Sequence, residues 1–282
     1  MRPYLSLVKP RISLLFAITG LTAILVHGGP HPFRFFMIVL GIFLVGGAAN
    51  AFNQYLERDI DSRMSRTAAR RPLPLGLISP REALIFSCFI SFLGVGLLFK
   101  FGGALSSLLG LGTILFYSFF YTLWLKPKTP YNIVIGGIAG AMGPLIGWAA
   151  VAGTIELTPF LMFLIIFFWT PPHFWALALY HQDDYKKVGL PMLPVVRGEE
   201  ITRKQILLYS FTLIPLSASL YFVSDVLNRI YLSSALALGG LFIWFAFIVY
   251  QKKTVQAYQR LFRYSIGYMM LLYLSMIVDT LL

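Results

Sequence analysis

Charged side chains are scarce in this sequence of 282 residues: 12% are Asp, Glu, Lys or Arg, whereas 58% are hydrophobic. A soluble domain carries about 25% charged residues, so this chain has too little charge to cover a surface in contact with water. Cysteine is scarcer still, since Cys88 is the single one, and this excludes an intrachain disulfide. We also expect no cleavable signal peptide, because no small-residue cleavage pattern follows the first apolar segment. The composition indicates an integral membrane protein.

Nine stretches of the chain contain no charged residue, and each is close to the roughly 20 residues that a helix needs to cross a bilayer. They run over 12–33, 35–56, 83–99, 101–125, 129–155, 157–182, 205–224, 230–251 and 264–278, and the last can extend through Asp279. Apolar residues fill these stretches without alternation, and a single segment satisfies its backbone in lipid only as a helix. We therefore predict an all-α integral membrane protein of about nine transmembrane helices, forming one domain over residues 1–282.

The basic residues predict the orientation of these helices. With the N-terminus in the cytoplasm, twenty of the 23 Lys and Arg residues fall on the cytoplasmic side, and Arg34, Lys100 and Arg229 fall outside. This bias is the positive-inside pattern, and it predicts a C-terminus on the outer side. The formal net charge of +12 is thus explained by topology. We expect this positive charge to interact with the lipid bilayer and not with nucleic acid.

Acidic residues are concentrated in two cytoplasmic loops, at about 57–82 and 181–204. Eight of the 11 acids lie there, namely Glu57, Asp59, Asp61, Glu82, Asp183, Asp184, Glu199 and Glu200. The positive-inside pattern does not require acids on either side. These loops therefore need a functional explanation.

The first loop begins with a polar motif at the end of the second span. Asn53, Glu57 and Asp61 are spaced four residues apart, so on a helix they share one face with a total drift of about 40°. Mg²⁺ prefers such oxygen ligands and commonly takes one or two carboxylates together with substrate phosphates. The alternative is that the acids only pair with arginines in a solvated loop. Polar side chains in the last turns of a span argue against that alternative, since they usually line a cavity.

Basic residues near this motif are suited to binding phosphate oxygens. Arg66 and Arg70 belong to an arginine cluster that follows Asp61, and arginine binds phosphate in a bidentate manner. Lys126 and Lys128, in a short cytoplasmic loop, either reach the same phosphates or serve only as topological determinants. Carboxylates beside clustered cations indicate a metal–diphosphate site.

A second acidic group, Asp183 and Asp184, follows the sixth span on the same membrane face and is a candidate for a second Mg²⁺. Adjacent acids point in different directions on a helix, so this pattern is less specific. Pro171 and Pro172 must kink or break that span. His173 has three open interpretations: it contacts a porphyrin, acts as a base, or bonds to a neighbouring helix.

These motifs, taken together, resemble the UbiA superfamily of intramembrane prenyltransferases and, within it, the protoheme IX farnesyltransferase branch. The resemblance runs nearly from end to end. It rests on Lys9-Pro10-Arg11, the Asn53–Asp61 run, Leu77-Ile78-Ser79-Pro80, residues 132–137, residues 144–150, Pro172-His173-Phe174-Trp175, Asp183-Asp184-Tyr185 and Pro191-Met192-Leu193-Pro194. The sequence departs from the superfamily pattern at Glu57, where Asp is usual, and at Tyr180, which replaces the first acid of the second motif.

The resemblance implies spans around a central cavity, in a cell membrane, with the active site on the cytoplasmic side. It implies farnesyl diphosphate and haem b as substrates and Mg²⁺ as cofactor, with a haem A synthase or terminal oxidase assembly factor as a partner. It assigns catalysis to Asn53, Glu57, Asp61, Asp183 and Asp184, and all of these except Asp183 would also bind the metal. It assigns substrate binding to Arg66, Arg70, Lys126, Lys128, His173, Phe174, Trp175 and Tyr180.

Three alternatives compete with this interpretation. The first is the same fold with an aromatic quinone precursor or chlorophyllide as acceptor, which the His173-Phe174-Trp175 segment disfavours. The second is a transporter, but neither an evident repeat nor a charged residue deep in a span supports it. The third is a structural assembly factor, which would leave the acidic loops unexplained.

Overall fold

The computed structural model describes residues 2–282, and within that range all regular structure is helical. In chain order the helices are α1 Arg2–Leu7, α2 Pro10–His27, α3 Pro32–Leu56, α4 Arg58–Asp61, α5 Ser65–Ala68, α6 Pro80–Leu115, α7 Asn132–Ala141, α8 Gly143–Ala152, α9 Leu157–Tyr180, α10 Gln182–Lys187, α11 Leu193–Val196, α12 Gly198–Val223, α13 Arg229–Lys252 and α14 Val255–Leu281. A π-helix, Phe116–Leu125, continues directly from α6. The predicted all-helical fold is confirmed.

Eight helical segments in the described part of the chain are long and apolar enough to cross a membrane. One of them, Pro80–Leu125, has 46 residues and would be about 69 Å long if straight, roughly twice the thickness of a bilayer core. It bends at Gly103, whose φ of 85° and ψ of 175° are not helical. The Ser107 hydroxyl donates to the Val95 carbonyl at 3.1 Å, although a straight helix would separate these residues by about 18 Å. The segment is a hairpin, so residues 2–282 contain nine spans.

Contacts between loops confirm that the long segment crosses twice. Arg34, at the start of the second span, donates to the carbonyls of Phe101 at 2.8 Å and Ala150 at 3.0 Å. At the opposite end of the bundle, Lys126 is hydrogen bonded to Glu57. Since Glu57 follows the second span and Lys126 follows the fourth, these loops meet only if two spans lie between them.

Large apolar side chains cover the outside of the bundle. Phe92 is 82% exposed and Phe222 is 78% exposed, and many more Phe and Leu side chains on the spans are similarly open. A surface of this kind is unfavourable in water but suits hydrocarbon, which has the same polarity. The chain is therefore a multi-pass membrane protein.

The interior is divided between two groups of spans. Ile42, Leu98 and Ile146 pack together among α3, α6 and α8, whereas Phe242 and Tyr268 pack between α13 and α14. Near the C-terminal end of α14, the carboxylate of Asp279 accepts backbone hydrogen bonds from Asn228 and Tyr231 at the start of α13. The last span thus extends through Asp279, as predicted.

Of the kink or break expected in the sixth span, the structure excludes the break, and it also shortens the loop that follows. α9 continues from Leu157 to Tyr180, so Pro171 and Pro172 do not break it. Each proline still lacks an N–H group, which removes the usual donor to the carbonyl four residues earlier. The following loop is shorter than predicted because α12 already begins at Gly198, and its first turn carries Glu199 and Glu200. Acids are favourable there because a helix N-terminus is the positive end of the helix dipole.

Glycines allow α2 and α8 to approach each other very closely. A Cβ atom on Gly147 would lie 2.2 Å from the backbone oxygen of Gly20, and one on Gly143 would lie 2.2 Å from the Thr19 hydroxyl. Small residues at such crossings are typical of packed membrane helices. Gly143 and Gly147 therefore serve the close packing of α2 and α8.

We predict that Gly147→Ala lowers the thermal stability of the purified protein in detergent, because the α2 backbone must move away. The expected cost is about 1–3 kcal/mol, as for overpacking in a core. Gly140→Ala is the matched control, since no atom lies within 4 Å of the added Cβ. Thermal unfolding followed by circular dichroism measures both. Equal melting temperatures for the two variants would contradict the close crossing.

Candidate functional site

The end of α3 and the start of α4 bring the first acidic motif onto one face. The backbone N–H of Glu57 donates to Asn53 at 2.9 Å, and that of Asp61 donates to Glu57 at 2.8 Å. Helical hydrogen bonding therefore continues past the end of α3, and the three side chains align as their spacing predicted. Glu57 is 4% exposed and Asp61 is 2% exposed, so both carboxylates are buried.

Three cations from three separate segments converge on this motif. Arg71 forms an ion pair with Asp61 and lies 3.6 Å from Glu57. Lys126 forms an ion pair with Glu57. The Lys9 ammonium donates to the Asn53 side-chain oxygen at 3.4 Å. Buried charges require such partners, and the result is a compact cluster of three cations and two carboxylates, which we call the ionic cluster.

Burial and charge act in opposite directions within the ionic cluster. Burial raises the pKa of Glu57, but Lys126 and Arg71 outweigh it and bring that pKa below its ordinary value. Burial also raises the pKa of Asp61, and here Arg71 does not overcome it because the charge of Glu57 acts in the same direction as burial. Burial, reinforced by Arg71, lowers the pKa of Lys9 to about 7. The cluster can therefore adjust its net charge near neutral pH.

The π-helix presents the fourth span to the same motif. The backbone N–H of Lys126 donates to the carbonyl of Tyr121, five residues earlier, at 2.8 Å. The Thr122 hydroxyl donates to Tyr117, also five residues earlier, and accepts from the Asn53 amide at 3.1 Å. Such i to i+5 segments occur frequently at functional sites. Here the wider turn carries the side chains that contact Asn53 and Glu57.

The second acidic pair divides between a buried and an exposed residue. Asp184 is buried in α10 and accepts a hydrogen bond from the Ser65 hydroxyl of the first loop. That hydrogen bond lowers the pKa of Asp184. Asp183 is exposed, since neighbouring residues on a helix point in different directions. The structure thus joins the two acidic loops through Asp184 and leaves Asp183 at the surface.

The basic candidates from the sequence are placed unequally. Lys126 is in the ionic cluster, whereas Arg70 is exposed, and Lys128 is exposed with its ammonium 5.1 Å from the Trp124 ring centre. Arg66 is half-buried, and its buried Nε atom has no hydrogen-bond partner among the described residues. Arg71 takes the place expected of Arg70. No spacing rule distinguishes these two arginines, because the loop that carries them is irregular.

His173 is held between aromatic rings and a neighbouring helix. Its Nδ1 atom lies 2.6 Å from the Ser265 hydroxyl of α14. Its ring stacks on Trp169 with 4.4 Å between ring centres and on Phe262 with 4.7 Å. Of the interpretations left open for this residue, the bond to a neighbouring helix is present in the structure. Sequence reasoning missed Ser265, since nothing local in α14 marks it.

The aromatic residues that follow His173 do not form one continuous wall. Trp175 is 1% exposed and packs edge-on against Tyr209 of α12, so it belongs to the core. Phe174 and Tyr180 are exposed on the flank of α9. Phe174 also contacts the His173 ring, with 4.9 Å between ring centres. Of the three, Phe174 is therefore the one that meets His173.

The chemistry of the motif at the end of α3 fits Mg²⁺. In the described residues, no three His, Cys, Asp or Glu side chains converge as a metal site by themselves. Asn53, Glu57 and Asp61 nevertheless offer only oxygen atoms on one face, and Mg²⁺ usually completes its shell with water and substrate phosphates. A metal held here would have one amide and two carboxylates as protein ligands.

Solved structures with the same fold come from proteins of distant sequence. A UbiA homolog from Aeropyrum pernix has a TM-score of 0.78 with 19% identity, covering 97% of this chain and 98% of that one. A UbiA homolog from Archaeoglobus fulgidus, bound to GPP and Mg²⁺, has a TM-score of 0.67 with 17% identity, covering 96% and 99%. These comparisons establish the fold.

Curated relatives are much closer in sequence. The protoheme IX farnesyltransferase of Parvibaculum lavamentivorans is 45% identical over 100% of this chain and 89% of that protein. The enzyme of the same name from Symbiobacterium thermophilum is 45% identical over 99% of this chain and 94% of that protein. The model of the UbiA prenyltransferase family matches residues 13–274. This chain therefore belongs to the UbiA prenyltransferase family.

Proposed function

We propose that this protein transfers the farnesyl group of farnesyl diphosphate to a vinyl group of haem b, which yields haem O. The observation that carries this proposal is the ionic cluster, in which buried carboxylates and cations converge at the end of an apolar bundle. Such a cluster suits a substrate with a diphosphate head and a hydrocarbon tail. Identity of 45% to two protoheme IX farnesyltransferases over nearly their full length supports haem as the acceptor.

The residues around the proposed diphosphate site have separate roles in binding the metal and the phosphate oxygens. Asn53, Glu57 and Asp61 would hold Mg²⁺, with Asp184 contributing from the second loop. When bound, Mg²⁺ supplies positive charge that neutralises the diphosphate. Arg71 and Lys126 lie beside the same carboxylates and would stabilise the charge that grows on the leaving group. Arg66, with its partnerless Nε, is a further candidate for a phosphate oxygen.

The reaction forms one carbon–carbon and one carbon–oxygen bond, and it breaks the C1–oxygen bond, the vinyl π bond and one O–H bond of water. The bond between C1 of the farnesyl group and the diphosphate oxygen breaks, and the diphosphate keeps the electron pair. The vinyl group of haem attacks the resulting allylic cation, and the new cation on the side chain takes a hydroxyl from water, releasing a proton. The apolar walls of the spans would exclude water from the first cation until the vinyl group has attacked.

We also propose the setting of this reaction. Residues 1–282 form one domain in the cell membrane with the ionic cluster at the cytoplasmic face, as the distribution of basic residues supports. A haem A synthase or a terminal oxidase assembly factor would be the partner that receives the product. His173, Phe174 and Tyr180 would contact haem, and buried Trp175 would support their helix.

The orientation can be tested directly. We expect a cytoplasm-active reporter to work when fused to the N-terminus and a periplasm-active reporter to work when fused to the C-terminus, because nine spans separate the two ends. A periplasm-active reporter that works at the N-terminus would show the opposite orientation.

The metal site can be tested with a matched pair of acids from one turn. Asp61→Asn removes the charge of a buried ligand, so we expect Mg²⁺ affinity to fall by on the order of tenfold to a hundredfold or more and turnover to fall with it. Asp59→Asn is the control, because Asp59 is exposed and should change neither. Turnover of farnesyl diphosphate as a function of Mg²⁺ concentration measures both variants. Undiminished turnover by Asp61→Asn would remove this residue from the site.

The acceptor is tested by its product. Membranes that contain the protein, supplied with haem b and farnesyl diphosphate, should form a haem whose mass increases by one farnesyl group and one hydroxyl group. Mass spectrometry of extracted haem, with the Asp61→Asn variant as background, makes the measurement. If the purified protein instead prenylates a hydroxybenzoate and leaves haem unchanged, the acceptor is an aromatic quinone precursor and the haem assignment is wrong.

A further inference from the structure

The hydrogen bonds around His173 form a short directed chain. Its Nδ1 atom lies 2.6 Å from the Ser265 hydroxyl oxygen, and that hydroxyl lies 2.7 Å from the carbonyl oxygen of Phe262. Both groups are buried within the bundle. The chain runs from α9 to the backbone of α14, and each link is short enough to be a full hydrogen bond.

This geometry determines which nitrogen of His173 carries the proton. A serine hydroxyl has one hydrogen, and the Phe262 carbonyl can only accept, so the Ser265 hydrogen must point to that carbonyl. Otherwise two oxygen lone pairs would face each other at 2.7 Å. The Ser265 oxygen is then an acceptor toward His173, and Nδ1 must be the donor. On this basis we assign His173 as the Nδ1–H tautomer, whose Nε2 carries a lone pair.

The surroundings fix the plane of this ring as well as its tautomer. Trp169 and Phe262 stack on His173 at 4.4 and 4.7 Å between ring centres. The Trp169 indole N–H donates to the Ser265 carbonyl at 2.9 Å, which ties the stacking partner to the same residue of α14. Nε2 forms no hydrogen bond with any described residue. Buried polar atoms usually have a hydrogen-bond partner. If His173 served only to join two helices, we would therefore expect Nε2 to accept a hydrogen bond as well.

We propose that Nε2 of His173 is an axial ligand to the haem iron and that Ser265 is its positioning residue. The proposal rests on the haem acceptor proposed above. A neutral imidazole that donates its other N–H to an acceptor is the usual arrangement of a metal-binding histidine, because that bond fixes the tautomer and increases the basicity of the ligating nitrogen. Binding forms one coordinate bond from the Nε2 lone pair and releases no proton.

The position of His173 suits this role. It lies seven residues before the end of α9 at Tyr180, or about 10 Å deeper in the membrane. A farnesyl chain whose diphosphate is bound at the ionic cluster extends inward to this depth. Iron ligation would anchor the flat acceptor at a fixed height beside that chain, so that a vinyl group rather than another edge of the ring meets C1.

The test measures haem binding by optical absorption, using the full-length protein in nanodiscs with empty nanodiscs as reference. Wild type should shift the Soret band of added haem, and His173→Ala should abolish the shift, with exogenous imidazole restoring it. Ser265→Ala should weaken haem binding by about tenfold to a hundredfold, the usual effect of removing such a partner. Ser265→Thr keeps the hydroxyl and should bind as wild type does.

Ser275→Ala is the matched control, because Ser275 is buried on the same helix and bonds to the carbonyl three residues earlier, as Ser265 does, without contacting His173. It should leave the spectrum unchanged. Farnesyl diphosphate binding confirms that each variant is folded. Haem turnover by wild type combined with an unshifted Soret band, or a His173→Ala spectrum identical to that of wild type, would overturn iron ligation while the proposed function stands. A wild-type protein that binds no haem would overturn both.

Discussion

The ionic cluster is the constraint on which the remaining structure depends. Two carboxylates buried at the end of α3 would be costly without partners, and breaking one buried ion pair by removing a partner typically costs about 3–5 kcal/mol. Their partners are Arg71 in the first loop and Lys126 after the fourth span, and Lys9, before the first span, donates to the adjacent Asn53 side chain. Satisfying the two charges therefore positions the first four spans relative to one another.

The π-helix lies beside the same cluster. It is where the fourth span meets the motif, through Thr122 to Asn53 and through Lys126 to Glu57. Hydrogen bonds from Thr122 to Tyr117 and from Lys126 to Tyr121 reach the fifth preceding residue and widen the helix there. The irregularity lies at the site, after twelve residues of regular helix that follow the Gly103 turn.

Sequence rules that act along a single helix predicted the features that depend on residue spacing within that helix. They failed to predict contacts between segments that are far apart in the chain. The alignment of Asn53, Glu57 and Asp61 and the hairpin around Lys100 followed from periodicity and from the length of apolar runs. The choice of Arg71 over Arg70 and the bond from Ser265 to His173 depend on segments that are far apart in sequence. The unbroken helix through Pro171 and Pro172 has the same origin, since tertiary packing in a membrane tolerates prolines that would end an isolated helix.

The net charge of the ionic cluster is small, which allows the cluster to be buried at the end of the membrane-spanning helices. Three cations and two carboxylates give a net charge of about +1, and less when Lys9, with its pKa near 7, loses its proton. Such a cluster is nearly neutral, so it can be buried beside lipid. A diphosphate with Mg²⁺ brings opposite charges that largely cancel as well, so the loaded site also stays close to neutral. Under the proposed function, Glu57 and Asp61, which pair with cations of the protein in this structure, would share their charge with Mg²⁺ when substrate is bound. Arg71 and Lys126 would then be free to contact the phosphate oxygens, where positive charge is needed as the carbon–oxygen bond breaks.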